Sequence, residues 1–260
     1  MSLRIDYNGH AIRYSNNYLY HYPYNPLDLP PYTMRVVYID NYMPSFRSGV
    51  TGVQVSTSPN VWDITYPYPT WDNNILRMAN EYGEYGGKDQ VLEVLGANTR
   101  GVTSMESLFK MCNNLTDVVL FDTTAVTNMH DMFAGCTSLG SVPLYDTSSV
   151  TNMEAMFSAC SYLGSCPVFD THLVTRFYEM FMDCTSLNAI PLLNIDSATN
   201  LSMMFFNCRL VETGITDFYQ LGLARESSYG RFEHYECFYG CGVDTVTGSA
   251  ELAQVSADWK

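Results

Sequence analysis

At 260 residues, 47% apolar and 15% charged, the chain has enough material for one large domain or two modest ones with a sizeable core. Thirteen basic against 27 acidic residues leave a formal charge of −14, the wrong sign for neutralising phosphates, so nucleic acid is not expected as a partner. No run approaches the roughly 18 apolar residues of a spanning helix, and the start lacks a charged leader followed by an apolar run, so neither membrane insertion nor a secretory signal is expected.

Residues 1–90 hold 13 of the 20 tyrosines, eight of the 11 prolines and none of the cysteines. This composition predicts a small, mostly-β module, suited to attachment or capping. Asn8-Gly9, between two alternating runs, signals a hairpin. The segment Tyr18 to Tyr32, with five Tyr and four Pro, reads as an extended arm. Met34 to Ile39, Gly52 to Ser56 and Val61 to Tyr66 are further strands between turn-forming clusters. A short helix near Trp71 to Tyr82 is expected to cover the open end of the cysteine-containing region that begins near residue 91.

From about residue 91 the chain repeats itself. Cys112, Cys136, Cys160, Cys184 and Cys208 are each 24 residues apart, and each stands three residues after Phe109, Phe133, Phe157, Phe181 or Phe205. Leu115, Leu139, Leu163 and Leu187 keep the same step, as do Val102, Val126, Val150 and Val174. Met129, Met132, Phe133 and Cys136 lie at i, i+3, i+4 and i+7, the spacing of one helix face, with Thr127 or Asn128 placed to cap it. From Leu139 to Tyr145 the pattern changes to a short β run, ended by the turn formers Asp146, Thr147, Ser148 and Ser149. One strand plus one short helix cannot bury its own face, so such units must stack. The expected fold is an α/β repeat solenoid, leucine-rich-repeat-like, with one strand and one short helix per 24 residues and a parallel strand ladder over 91–241. The small β domain of 1–90 precedes it, and a cap or tail of 242–260 comes after it. Cys237 to Cys241 repeats the aromatic and cysteine step around Phe238, but 33 residues after Phe205, so the last unit carries a nine-residue insertion and reads as a degenerate cap.

The chemistry-bearing residues keep to the repeat. Five cysteines share one column, which ties them to a packing position and predicts buried free thiols; a Cys237–Cys241 disulfide and a metal site are the alternatives. Asp122, Asp146 and Asp170 also share a column, but the fourth unit places Asn194 there, which favours turn formation over calcium. The five histidines form no column, no Gly-rich phosphate loop occurs, and a cysteine present in every unit is a poor nucleophile, so no enzyme, cofactor or metal is expected. Along the strand, Val118, Val142, Cys166 and Ile190 alternate with Val119, Pro143, Pro167 and Pro191, and Leu120, Leu144, Val168 and Leu192 alternate with Phe121, Tyr145, Phe169 and Leu193. Strand alternation makes both faces apolar. The face with Phe121, Tyr145, Phe169, Pro143 and Pro167 is either covered by the chain, docked to a subunit, or open as a binding stripe.

These motifs resemble the bacterial-surface-antigen type of leucine-rich repeat, in the Met-Phe-x-x-Cys variant also seen in mycoplasma lipoproteins. The lead-in from Leu92 to Thr99 and the ending from Ala257 to Lys260 also resemble proteins encoded among virion genes of phages of gut bacteria. What the resemblance implies is surface recognition. The expected function is therefore a non-enzymatic phage virion component, a fibre, tail or head-decoration protein assembled in the host cytoplasm. The alternative is a bacterial cell-surface adhesin. Protein partners or a surface glycan, and self-association, fit either.

Overall fold

The computed structural model describes residues 4–5, 11–15, 18–20, 29–30, 32–39, 51–57, 59–65, 78–79, 85–86 and 88–260. Near the start, β1 (Arg4–Ile5), β2 (Ala11–Ser15) and β3 (Tyr18–Tyr20) form an antiparallel three-stranded sheet. The turn expected at Asn8-Gly9 lies outside the described residues, as does most of the segment from Trp71 to Tyr82. Of the latter, Met78–Ala79 (β7) pairs with Tyr85–Gly86 (β8) as strand, not helix.

The main sheet is built from β4 (Thr33–Tyr38), β5 (Thr51–Thr57), β6 (Asn60–Thr65), β9 (Val91–Ala97) and β10 (Asp117–Val118), in the order β10-β9-β4-β6-β5. All neighbours are antiparallel except β9 and β10. Met34, Val36, Tyr38 and Ile64 are fully buried, as β-branched and aromatic residues in a central strand pair tend to be. Arg35 and Asp63 join β4 to β6 by a two-pronged ion pair, both contacts 2.6 Å. β9 then begins the repeats: the amides of Thr116 and Val119 donate to the carbonyls of Leu92 and Val94.

Beyond that point the expected α/β solenoid with a parallel strand ladder is not what forms. The substantial sheet is five-stranded and mostly antiparallel, and the two α-helices among the described residues, α1 (Ile215–Tyr229) and α2 (Val246–Ala253), both lie after the regular repeats. Between Thr99 and Thr213 the chain makes turns, and apart from β10 its neighbours meet at isolated parallel bridges: Ser104 with Asn128, Asn128 with Asn152, Asn152 with Arg176, Arg176 with Asn200, and Ala189 with Thr213.

The reason lies in the backbone. The amide of Met132 donates back to Met129 and that of Cys136 to Phe133, closing two four-residue turns. The third residues of these turns, Asp131 and Gly135, have φ of 58° and 76°, the left-handed value that a type II turn requires there. The same two positions are left-handed in every unit: Ser107 and Met111, Ala155 and Ala159, Glu179 and Asp183, Met203 and Asn207, Glu236 and Gly240. Repeated reversal of φ breaks the run of i to i−4 bonds that defines a helix. The remaining amides turn outward along the stack. Those of Met129, Asp131, Phe133 and Gly135 donate to the carbonyls of Asn152, Glu154, Met156 and Ser158 in the next rung at 2.7–2.9 Å.

Side-chain stacking reinforces this backbone lattice. Phe109, Phe133, Phe157, Phe181, Phe205 and Phe238 form one pile of rings, with successive centroids 5.3, 5.6, 5.5, 5.5 and 5.8 Å apart. Trp259 lies on its end, 6.0 Å from Phe238. The insertion before the last rung supplies α1, whose Phe218 meets Phe205 edge-on at 5.1 Å.

Candidate interaction surface

In the β-run segment of each rung the burial does not alternate. Val118, Val142 and Ile190 point inward, and so do Phe121, Tyr145, Phe169 and Leu193 three residues later. Without continuous strand pairing, the chain bends between them and brings both columns to the core. The aromatic face, open in sequence between cover by the chain, a docked subunit and a binding stripe, is therefore interior: Phe121, Tyr145 and Phe169 are 5, 2 and 3% exposed. Phe121 packs on Tyr145 at 4.9 Å and Phe169 on Phe157 at 6.3 Å. Pro143 and Pro167 are half-buried beside them.

The same bend pushes a different column outward. Leu120, Leu144, Val168 and Leu192 are 57, 60, 62 and 60% exposed, one from each of four successive rungs. Strand alternation groups these residues with Val118 on a core face, which is why the sequence pattern gives them no surface role. Scattered exposed leucines are ordinary, but a column of them repeated through neighbouring rungs makes a contiguous apolar ribbon.

Two residues after each ribbon position stands an exposed turn former. Oδ1 of Asp122 accepts from the amide and hydroxyl of Thr124 at 3.0 and 2.7 Å, and Oδ1 of Asp146 accepts from the same groups of Ser148 at 3.0 and 2.7 Å. Asp170 takes the amide of His172 at 3.2 Å and sits 2.7 Å from its Nδ1, while Asn194 takes the amide of Asp196 at 2.9 Å. Hydrogen bonds from Ser148 hold the Asp146 carboxyl below its usual range, and those from His172 do the same for Asp170. The residue after each, Thr123, Thr147 and Thr171, is buried and donates its hydroxyl to the carbonyl of Asp146, Asp170 and Asn194 at 2.7, 2.7 and 2.8 Å. The turn column is thus fixed from both sides. The residues of the amino-terminal end, Ala97 to Arg100, join Leu120, Leu144, Asp122 and Asp146 around an open depression of about 410 Å³.

The ribbon's flank is mainly acidic, with Arg100 the one basic residue in the lining of the depression beside Asp122 and Asp146. From residue 101 to 175 the only Lys or Arg is Lys110, and its ammonium is tied to Asp131 at 2.6 Å. That ion pair belongs to the tight-turn segment, where His130 also lies between Glu106 and Asp131 at 3.6 and 3.5 Å. A second open depression, of about 350 Å³, lies between Glu154, Arg176, Tyr178, Thr199, Asn200 and Glu233.

The cysteine and phenylalanine columns lie deeper. Phe109, Phe133, Phe157, Phe181 and Phe205, with Cys112, Cys136, Cys160, Cys184 and Cys208, have no exposed surface, and none of the eight cysteines is in a disulfide. The thiols of Cys136, Cys160, Cys184 and Cys208 donate to the carbonyls of Phe109, Phe133, Phe157 and Phe181 in the preceding rung at 3.0–3.1 Å. This use as a donor is not visible in the sequence, where the column reads as apolar packing alone. Burial pushes the Cys160 thiol up to about 12, and burial likewise raises Cys184, Cys208, Cys237 and Cys241. They are held as neutral thiols, not nucleophiles. Among the described residues no three His, Cys, Asp or Glu side chains converge as a metal site would need, and no helix is long and apolar enough to cross a membrane.

The family described as "Mycoplasma protein of unknown function, DUF285" matches residues 85–165 and, overlapping, 103–218. No curated protein and no solved structure matches the chain.

Proposed function

We propose a non-enzymatic recognition role for this chain, which belongs to the DUF285 family: its stacked rungs present the column Leu120, Leu144, Val168 and Leu192 to another protein. The observation that carries the reading is the exposure of four aliphatic side chains in register on a rigid lattice. Burying that ribbon against a partner removes apolar surface from water at about 25 cal/mol per Å², and the fixed turns on its flank keep the ordering cost of binding low.

The resemblance of the lead-in and the ending to virion-encoded proteins supports a phage particle as the place of display. The family's description as Mycoplasma proteins favours a second reading, display by a bacterial cell. Purified products of the neighbouring genes, titrated calorimetrically against the wild type and the triple variant Leu120→Ser, Leu144→Ser, Val168→Ser, test the role. A partner whose binding is lost in the variant at unchanged melting temperature is the expected result. Partners that bind wild type and variant alike would remove the ribbon from the function. Virion genes among those neighbours support the particle, and export or anchoring genes the cell.

A further inference from the structure

We infer that the occupant of this ribbon is a basic amphipathic helix of a partner protein, an inference that rests on the recognition role just proposed. Three observations on the surface carry it.

The first is spacing. Rungs that pair in parallel stand about 4.8 Å apart, so the exposed side chains of Leu120, Leu144, Val168 and Leu192 recur at about that interval along the stack. A helix lying along the ribbon offers one apolar row with a pitch of about 5.4 Å, a mismatch of only about 0.6 Å per step. An extended strand in the same direction offers same-face side chains every 6.8 Å or so, and falls out of step within two rungs.

The second is charge. Asp122, Asp146 and Asp170 line one flank of the ribbon with exposed carboxylates; Arg100 is the one basic residue in the lining of the depression beside Asp122 and Asp146, and the sequence holds no Lys or Arg from 111 to 175. The bonds from Ser148 and His172 favour the ionised form of Asp146 and Asp170. A partner with Lys or Arg beside its apolar row meets this flank favourably, and one with acidic residues there is repelled. A second copy of this chain, at a net charge of −14, fits poorly for the same reason.

The third is rigidity. Each Asp is held by its own turn and each following Thr is tied to the next rung, so the acidic row is set in place before binding.

The test uses the full-length protein and three 15-residue peptides. Each carries a one-per-turn row flanked by a second row: Leu with Lys, Leu with Glu, and Ser with Lys. Fluorescence anisotropy gives affinity and circular dichroism gives helix formed on binding. The Leu/Lys peptide is expected to bind roughly tenfold or more tighter than the other two and to gain helix, with affinity falling as salt rises. Leu144→Ser with Val168→Ser should abolish this binding. Asp122→Asn, Asp146→Asn and Asp170→Asn together should weaken it roughly tenfold and flatten its salt dependence. That triple variant keeps its turns, because Asn194 already performs the same bond in the fourth rung. Equal binding of the Leu/Lys and Leu/Glu peptides, both lost in the Leu144/Val168 variant, overturns the basic helix while leaving the ribbon a recognition surface. Equal binding of Leu/Lys and Ser/Lys, indifferent to that variant, overturns both. Binding without gain of helix, binding of no peptide, or a wild-type dimer that the Leu144/Val168 variant dissociates also overturns the inference.

Discussion

In the rungs from Met105 to Cys208, every second amide of the tight-turn segment donates to the next rung, whereas in α1 and α2 the amides bond within their own helix. Backbone groups buried in a core must find partners, and the two regions find them at different range. A rung is satisfied only by its neighbours, so the array depends on having an end. The helical region needs no further neighbour and can supply that end: Trp259 lies flat on the last phenyl ring and Phe218 closes it edge-on. Repetition thus sets the spacing of the lattice, and a non-repeating segment must terminate it.

The largest effect expected within the rungs comes from Tyr145→Ser combined with Phe169→Ser. Both side chains are interior, and Tyr145 also sends its hydroxyl toward the Val119 carbonyl at 3.4 Å. Each loss should cost about 3–5 kcal/mol, enough together to consume most of the stability of an ordinary domain. Urea unfolding of the double variant checks this. A midpoint within a few tenths molar of wild type would mean that the aromatic column is not core.

The cap is probed by Trp259→Ala, expected to cost about 3–5 kcal/mol in a fold whose last ring loses its cover. Gly222 sharpens the point, since a Cβ there would run into the Trp259 ring. Gly222→Ala should therefore be damaging in the wild type and cost at least about 1 kcal/mol less in the Trp259→Ala background. Equal costs in both backgrounds, measured by thermal melting, would show that α1 and Trp259 do not close the stack together.

How much of this was legible in the sequence depends on which physical signal each element left. The 24-residue period placed every member of the Phe and Cys columns, because burial repeats with the rung. The strands expected at Met34, Gly52 and Val61 start within a residue of those that form, since alternation is reliable in a hydrogen-bonded sheet. The expected helix does not form, and the paired tight turns in its place also bury residues at i, i+3, i+4 and i+7. The signal that separates the two was present: the column Met111, Gly135, Ala159, Asp183, Asn207, Gly240 is rich in residues that tolerate positive φ. Reading the next segment as a strand has the larger consequence. Alternation puts Leu120 and Leu144 on the core face and Phe121 and Tyr145 on the opposite one, whereas the bend exposes the leucines and buries the aromatics.

The smallest effect concerns what the cysteine column does within a rung. If these thiols serve as small apolar groups only, Ser at position 160 should be worse than Ala, because it buries a more polar atom. The thiol of Cys160, however, donates to the Phe133 carbonyl at 3.1 Å, a carbonyl that also accepts the amide of Cys136. A serine hydroxyl can make the same bond, while Ala leaves a gap and loses the donor, at a cost of about 1 kcal/mol. Cys160→Ser is therefore expected to melt above Cys160→Ala. The pH dependence has a definite sign. Burial raises the folded thiol from 9.0 to about 12, so its contribution is complete below pH 9 and is lost as pH climbs toward 12, because the unfolded chain ionises first. Melting temperature should fall across that window, and fall slightly less for Cys160→Ser, which has one such group fewer. An Ala variant that equals or exceeds Ser, with the same alkaline slope as wild type, would return the column to packing alone and leave the inter-rung amides as the lattice's sole vertical bonds at that position.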